Sequence, residues 1–249
     1  SELLLTHPNS SKRVEEVINS VDDSFSYKPI IGREVFLKKI DGMLYGEKPE
    51  EGFFYKNKFI HKPLDFSFDF DESFFFINNP KFLMGLAENN TKIFFDVDDN
   101  TNQDDLEYFS KWGKTSKNKI LDYNIKTINN FIISKCTIKK SDKMISLAII
   151  KDDKKLYRFS IITEKKYFNN YKNQFIDMVD SFEKISTNPN LINIEPPKIR
   201  ILKNSAKEGF IEKVIKKSSL QRKFSEDIFV TINGINNLEA NQKIKSIYW

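Results

Sequence analysis

Cysteine, histidine, tryptophan, glycine and proline are all scarce in this chain, and each scarcity excludes something. There is one cysteine, Cys136, so no intramolecular disulfide exists. Its place in the apolar run from Phe131 to Ile138 predicts a small buried residue. The two histidines, His7 and His61, lie far apart, and a zinc-peptidase helix needs two histidines four residues apart with a carboxylate between them. Neither histidine sits in a Ser-His-Asp or Cys-His pattern, and no GxSxG turn is present. His61 is therefore expected to be a hydrogen-bonded structural residue. The eight glycines are scattered and make no phosphate-cradling loop. No apolar run approaches the roughly 18 residues of a membrane span, and no signal-peptide pattern is visible. Asp96-Val97-Asp98-Asp99-Asn100 resembles a calcium loop only loosely, since glycine and the terminal glutamate are missing at the required offsets, and a solvated turn is expected instead.

Charge of one sign is also lacking. Forty basic and 35 acidic residues leave a net charge of +5, and the charges are interspersed. This predicts a solvated surface without the clustered Arg, Lys and exposed aromatics of a nucleic-acid stripe, so no nucleic-acid partner is expected. What the chain has in quantity is phenylalanine, 23 residues against 2 Trp. At that density most must be buried, which predicts compact cores. Lys, Asn and Ile abound where Arg, Ala and Val would serve, a pattern of AT-rich coding.

Hydrophobic periodicity divides the chain. Asn9, Ser10 and Ser11 offer cap oxygens ahead of Val14, Val17, Ile18 and Val21, predicting a helix over 8–24. A second short helix is predicted over 33–44, with Val35, Phe36, Ile40 and Leu44 on its apolar side, followed by a turn or linker at Gly46, Pro49 and Gly52. Phe66-Ser67-Phe68-Asp69-Phe70 alternates as a half-buried strand should. Phe74 to Ile77, Phe82 to Leu86, Lys92 to Val97, 125–138, 143–151 and 155–163 are further strands, the last two joined by a hairpin turn at Lys151-Asp152-Asp153-Lys154. Asp104 to Trp112 reads as a short helix. Lys166 to Ile185 reads as a long amphipathic one, with Phe168, Tyr171, Phe175, Met178, Val179 and Phe182 at helical spacing. After an Asn- and Pro-bearing linker comes a strand at 198–203, helices near 205–217 and 224–232, and a strand near 242–248. The fold class is α+β: N-terminal helices, an antiparallel-sheet α/β sandwich, then a small β-α-α-β unit. The expected domains are 1–50, a sandwich over 51–186, a linker at 187–197 and a terminal unit over 198–249.

Three stretches resemble a known family. Thr6-His7-Pro8 with Arg13-Val14, then Phe36-Leu37-Lys38-Lys39-Ile40-Asp41-Gly42-Met43-Leu44-Tyr45-Gly46, then Glu51-Gly52-Phe53 and Phe59-Ile60-His61-Lys62-Pro63-Leu64-Asp65-Phe66 are similar to the end of the catalytic domain, and the region after it, in the Ste24/HtpX/BepA-type zinc metallopeptidases. The Ile-Asp-Gly-x-x-Tyr-Gly run is the most specific. Lys62, inserted between His61 and Pro63, departs from the pattern. The resemblance implies that the zinc-binding HExxH and the third ligand lie upstream of residue 1, that this chain carries no cofactor of its own and is inactive alone, and that His7 is an active-site neighbour in such a parent. The middle domain is similar to PsbP/Mog1-like sandwiches. The last unit is similar to a LysM module, with Phe224 to Ile235 as its second helix and Asn-Gly turn. This implies glycan contacts at Asn204, Ser205, Asn233 and Gly234. Asn204-Ser205-Ala206 replaces the usual Gly-Asp-Thr, and Ala240-Asn241 the usual Pro-Gly.

The expected function is the non-catalytic C-terminal portion of a bacterial envelope metalloendopeptidase, contacting protein substrates and peptidoglycan, periplasmic or envelope-bound, with membrane attachment only through the upstream part. The alternative is a stand-alone envelope module that binds protein or glycan. A third reading, an enzyme with a carboxylate site in the sandwich, has no residue to localise it.

Overall fold

A computed structural model describes residues 32–46, 48–100, 103–205, 209–221, 224–234 and 241–248, with single positions at Glu16, Asn19 and Ser20. Those three positions are helical; the rest of the helix expected over 8–24 lies outside the described residues. The chain divides into units Ser1–Lys39 and Ile40–Trp249. Helix α1, Arg33–Ile40, is shorter than expected. Asp41 and Gly42 follow, and Gly42 turns the chain with φ +85°, a region that costs other residues strain. Val35 and Phe36, expected on the apolar side, are exposed.

The second unit holds three antiparallel sheets. Strands β1 Phe53–Tyr55, β2 Lys58–His61 and β3 Phe66–Asp69 form a meander. Strands β4 Phe75–Asn79, β5 Phe82–Leu86, β6 Lys92–Asp99, β7 Ile120–Ile128, β8 Phe131–Lys140, β9 Lys143–Lys151 and β10 Lys155–Glu164 form a seven-stranded sheet in the order β4-β5-β6-β10-β9-β8-β7. Helix α2, Asp105–Trp112, and helix α3, Phe168–Asp180, complete the sandwich. Alternation decides which helix meets which face. Ile133, Ala148, Ile150, Tyr157, Phe159 and Ile161 point to the side shared with the meander and α3. Cys136, Ile138, Leu147, Ile149 and Leu156 point to the other, against Phe109 of α2.

The stretch expected as one strand over 125–138 is two strands, β7 and β8, joined at Asn129-Asn130. Both residues have positive φ, 51° and 65°, the geometry of a tight hairpin turn that asparagine tolerates. Helix α3 stops at Asp180 instead of Ile185. The Ser181 hydroxyl donates back to the Met178 carbonyl, and Glu183 then pairs with Ser67 of β3 through both backbone groups at 3.0 Å. Between 187 and 197, expected as a linker, lies helix α4, Pro189–Ile192. Leu191 and Ile194 are buried with Phe53 and Ile60, so this stretch packs on the meander.

The terminal unit has strand β11 Lys198–Lys203, helices α5 Phe210–Lys217 and α6 Ser225–Asn233, and strand β12 Lys243–Tyr248, with β11 and β12 antiparallel. The first helix expected near 205–217 begins at Phe210. Two features tie this unit to earlier sequence. Asp41 to Tyr45 runs along β11 as a third, edge segment: Gly42 N–H donates to Ile199 O, Ile199 N–H to Met43 O and Tyr45 N–H to Pro197 O, each at 2.8 Å, while Ile201 N–H donates to the Asp41 carboxylate at 3.1 Å. Gln221 meets the outer edge of β4. Its carbonyl accepts from Phe76 N–H and its amide donates to Phe76 O, both at 3.0 Å, so one side chain imitates a strand partner.

Gly52 marks where packing leaves no space. Its φ is +85°, and a Cβ there would lie 2.3 Å from the Phe59 ring. Gly52→Ala is expected to lower unfolding free energy by about 2 kcal/mol or more, through left-handed strain plus the clash. Urea denaturation checks this; an unchanged midpoint would contradict the close approach.

Candidate binding sites

The terminal unit carries four of the five sequence-predicted site residues. His7, the fifth, lies outside the described residues. Val214, Phe229 and Ile244 form the small core beneath α5 and α6. Asn204 follows β11 and is held to the opposite strand end: its N–H donates to Gln242 O at 2.8 Å, and its carbonyl accepts from Asn241 N–H at 3.0 Å. Asn233 closes α6. Its amide donates to Phe229 O and Lys245 O, and its Oδ1 accepts from Lys245 N–H at 2.7 Å. Gly234 caps the helix in the left-handed conformation, φ +64°, and is exposed. Ser205 is half-buried. Asn204 is thus held by Asn241 and Gln242, just ahead of β12, and Asn233 by Lys245 within it. Asn233 spends its amide on the frame, and Ser205 and Gly234 stand where the two loops begin. Residues 206–208 and 235–240, the remainder of both loops and including Ala240, lie outside the described residues.

His61 ends β2. Its Nδ1 accepts from Leu64 N–H at 3.2 Å, and its ring stacks on Phe66 with centroids 5.2 Å apart. The hydrogen bond fixes the neutral tautomer with the proton on Nε2. Burial lowers the His61 pKa below the ordinary value, against a smaller raising effect from its backbone hydrogen bond. The native state therefore resists a proton that the unfolded chain accepts as pH falls through ~6.5. Stability should fall between pH ~7.5 and ~5.5, and His61→Asn, whose side-chain oxygen can still accept from Leu64, should flatten that slope. Urea midpoints across this window for both proteins are the check; parallel slopes would remove His61 as the cause.

The described residues offer zinc no seat. No group of three His, Cys, Asp or Glu side chains converges among them, and His61 Nδ1 is occupied. Burial pushes the Cys136 thiol up to about 12, so it is a packed apolar side chain with almost no thiolate. Several acids are tied into the framework. Asp105 at the start of α2 meets Ser134 and Lys151, Asp180 meets Lys135, and Asp96 and Asp98 hold Arg158, whose guanidinium lies 5.5 Å from the Trp112 ring centre.

One open polar cleft of about 650 Å³ lies where the β7–β8 and β9–β10 turns meet the chain after α3. Asn100, Asn130, Asp152, Asp153, Lys184 and Thr187 are among its walls. Its frame is fixed by its own hydrogen bonds: Asn100 Nδ2 donates to Asp152 O, Asn129 Nδ2 to Phe182 O, Asn100 N–H to Lys154 O and Asp152 N–H to Lys155 O. Lys184 Nζ stands 4.0 Å from Asp152 Oδ2 and 5.7 Å from the Phe131 ring centre, a loose pair that a ligand can divide. Such a rigid rim with both charges suits neutral or zwitterionic polar ligands better than polyanions. Sequence reasoning read Lys151–Lys154 only as a hairpin turn. The signal available was two polar turns at corresponding strand ends, and it needed the sheet order to bring them together.

No protein-family model matches the chain, and no curated protein matches it. Among solved structures it is similar to cyanobacterial PsbP (CyanoP) from Synechocystis sp. PCC 6803, at 8% identity and TM-score 0.40 over 51% of this chain and 91% of that one. It is also similar to a protein of Bacteroides thetaiotaomicron VPI-5482, at 8% identity and TM-score 0.36 over 74% and 63%. A third is LpqN, involved in cell envelope biogenesis of Mycobacterium tuberculosis, at 7% identity and TM-score 0.34 over 47% and 82%. Likenesses of this size carry no weight for function, and the α+β architecture rests on the strand pairings above. Among the described residues no helix is long and apolar enough to cross a membrane.

Proposed function

We propose that this chain is a non-catalytic binding module of the bacterial cell envelope, the portion that follows the catalytic domain of a zinc metalloendopeptidase. In that arrangement the upstream domain holds zinc and cleaves peptide bonds of envelope or misfolded proteins, and this portion contacts protein substrates or peptidoglycan. The observation that carries the binding reading is the polar cleft of about 650 Å³, whose frame is held by Asn100 on Asp152 O and Asn129 on Phe182 O and whose lining includes Asn130, Asp153 and Lys184. The Ile40-Asp41-Gly42-Met43-Leu44-Tyr45-Gly46 resemblance supports the parent. The Asp41–Tyr45 part of that run is paired with β11. Ser205 and Gly234 are the residues through which that unit would touch glycan.

The test has two parts. The gene is extended upstream, and zinc content and casein cleavage are compared for the long and short chains. Stoichiometric zinc and cleavage in the long form alone support the parent, and His7→Ala is then expected to reduce cleavage. Separately, amide chemical shifts of the short chain are followed with muropeptides and with an unfolded polypeptide. Shifts at 129–131, 152–153 and 183–187 support the cleft; a long form without zinc, with binding retained, leaves a stand-alone module.

A further inference from the structure

The small net charge of the whole chain hides an imbalance. Residues 198–249 hold 11 of the 40 basic and 5 of the 35 acidic residues, a net charge of +6, while residues 1–197 hold the other 29 and 30. The terminal unit therefore carries the entire excess, and its charges are not neutralised locally. In the sandwich Lys58, Lys111, Lys135, Lys151 and Arg158 each meet a carboxylate. In the terminal unit Lys203, Lys213, Lys216, Lys217 and Lys245 form no ion pair among the described residues, and Lys198 finds its partner, Glu195, outside the unit. Two arrangements set like charges side by side. Register places Lys203 directly opposite Lys243, with Lys245 next along the same face, while Leu202 and Ile244 turn to the other face and the core beneath the helices. On α5, Phe210, Ile211, Val214 and Ile215 face that core, and Lys213, Lys216 and Lys217 stand exposed together at spacings of three and four. Like charges so placed weaken a sheet and a helix, so the free protein carries repulsion that an anion would relieve.

We propose that the terminal unit docks a linear polyanion: a chain of phosphodiesters that carries no bases, a polyol-phosphate polymer. Charge complementarity argues for an anion. All the basic residues of the unit except Arg200 and Arg222 are lysines, point charges that attract phosphate without the planar fork that fixes one shaped group. Placement argues for a chain and against a flat membrane. The Lys203, Lys243 and Lys245 face and the exposed side of α5 lie on opposite sides of the unit, with the small core between them. A planar surface reaches one side at a time, and a flexible polymer reaches both. The lack of stacking platforms argues against single-stranded nucleic acid. Phe210, Phe224 and Tyr248 are half-buried and Phe229 is buried, so no aromatic ring among the described residues of this unit is exposed for a base. This surface is separate from the polar cleft and does not depend on an upstream peptidase.

The test uses the full 249-residue chain and poly(glycerol phosphate), with calorimetry across a salt series. Affinity is expected to fall with added salt, with a log–log slope of about −3.5 when five lysines engage a flexible strand. Two sets of substitutions follow, Lys213→Gln with Lys216→Gln and Lys217→Gln, and Lys203→Gln with Lys245→Gln. Each set should weaken binding about tenfold or more at roughly 50 mM salt and lower the slope. Lys203→Glu, which sets opposite charges across the two strands, should weaken binding while raising the urea midpoint, a combination that loss of structure would not produce. Absence of binding, binding indifferent to salt, or either set leaving affinity unchanged overturns the proposal. Single-stranded DNA that binds more tightly than the polymer overturns it in favour of nucleic acid. Phosphatidylglycerol vesicles that bind more tightly, and are lost with one lysine set only, overturn it in favour of a membrane surface. None of these results touches the polar cleft, whose amides lie elsewhere and report on the module reading separately.

Discussion

Phe182→Ala should remove about 3–5 kcal/mol of unfolding free energy, the largest single loss expected from the described core. Phe182 is fully buried just beyond the end of α3. Its ring stacks on Phe66 with centroids 5.3 Å apart, meets Phe131 edge-on at 5.0 Å and lies 4.8 Å from Tyr157. It therefore joins β3, β8 and β10, and no neighbour can collapse into the void without leaving its own partner. The transfer of the lost ring accounts for part of the effect; lost aromatic pairing adds ~0.5–1.5 kcal/mol for each contact. Urea denaturation measures it, with Phe182→Leu as a volume-sparing comparison expected to lose less than half as much. An alanine variant within 1 kcal/mol of the parent, roughly the scale of an exposed substitution, would show that this junction is not packed as described.

Gln221→Leu is expected to have a comparable effect by a different route. Leucine preserves the bulk and strands two backbone groups of Phe76, a buried N–H and a buried C=O. Each unsatisfied group costs ~1–3 kcal/mol, so the sum is about 2–6 kcal/mol. The loss should be local at first. Amide exchange in β4, β11 and β12 should accelerate while β8, β9 and β10 stay protected, because Gln221 joins the terminal unit to an outer strand. Gln221→Glu keeps an acceptor for Phe76 N–H but sets a second oxygen against Phe76 O and buries a carboxylate, so at neutral pH it should lose at least as much as Gln221→Leu. Uniform loss of protection across the whole sheet would mean that the joint is part of the central folding unit and not a separable contact.

The residues that made the fold legible were those with short-range periodicity. Phe66 to Phe70 alternates, and Lys92 to Val97 and the two arms of the 143–163 hairpin are short apolar runs; all lie in strands. Phe168 to Val179 repeats every three to four residues, and it is α3. The short strands β1 and β2 carry only three and four residues, too few to show a period. The break at Asn129-Asn130 was hidden because asparagine was credited to coding bias. Five of the ten described non-glycine residues with positive φ are asparagines, Asn89, Asn90, Asn129, Asn130 and Asn241, so in a glycine-poor chain asparagine makes the left-handed turns. The β-α-α-β order was readable locally. The seam of Asp41–Tyr45 with β11 was not, since it joins residues more than 150 positions apart. The candidate glycan residues were placed by resemblance, which cannot show that the Asn233 amide is occupied by Lys245.

The clamp on Asn233 also governs how this protein ages. An asparagine followed by glycine is the dipeptide most prone to deamidate, because the glycine amide nitrogen can reach and attack the side-chain carbonyl to form a cyclic imide. At Asn233-Gly234 that carbonyl accepts from Lys245 N–H, and the departing nitrogen is tied to Phe229 O and Lys245 O. Cyclisation requires all three bonds to break together and the helix end to unwind. Isoaspartate at position 233 would then accumulate only in molecules whose α6–β12 contact had opened, and would serve as a chemical record of time spent partly unfolded.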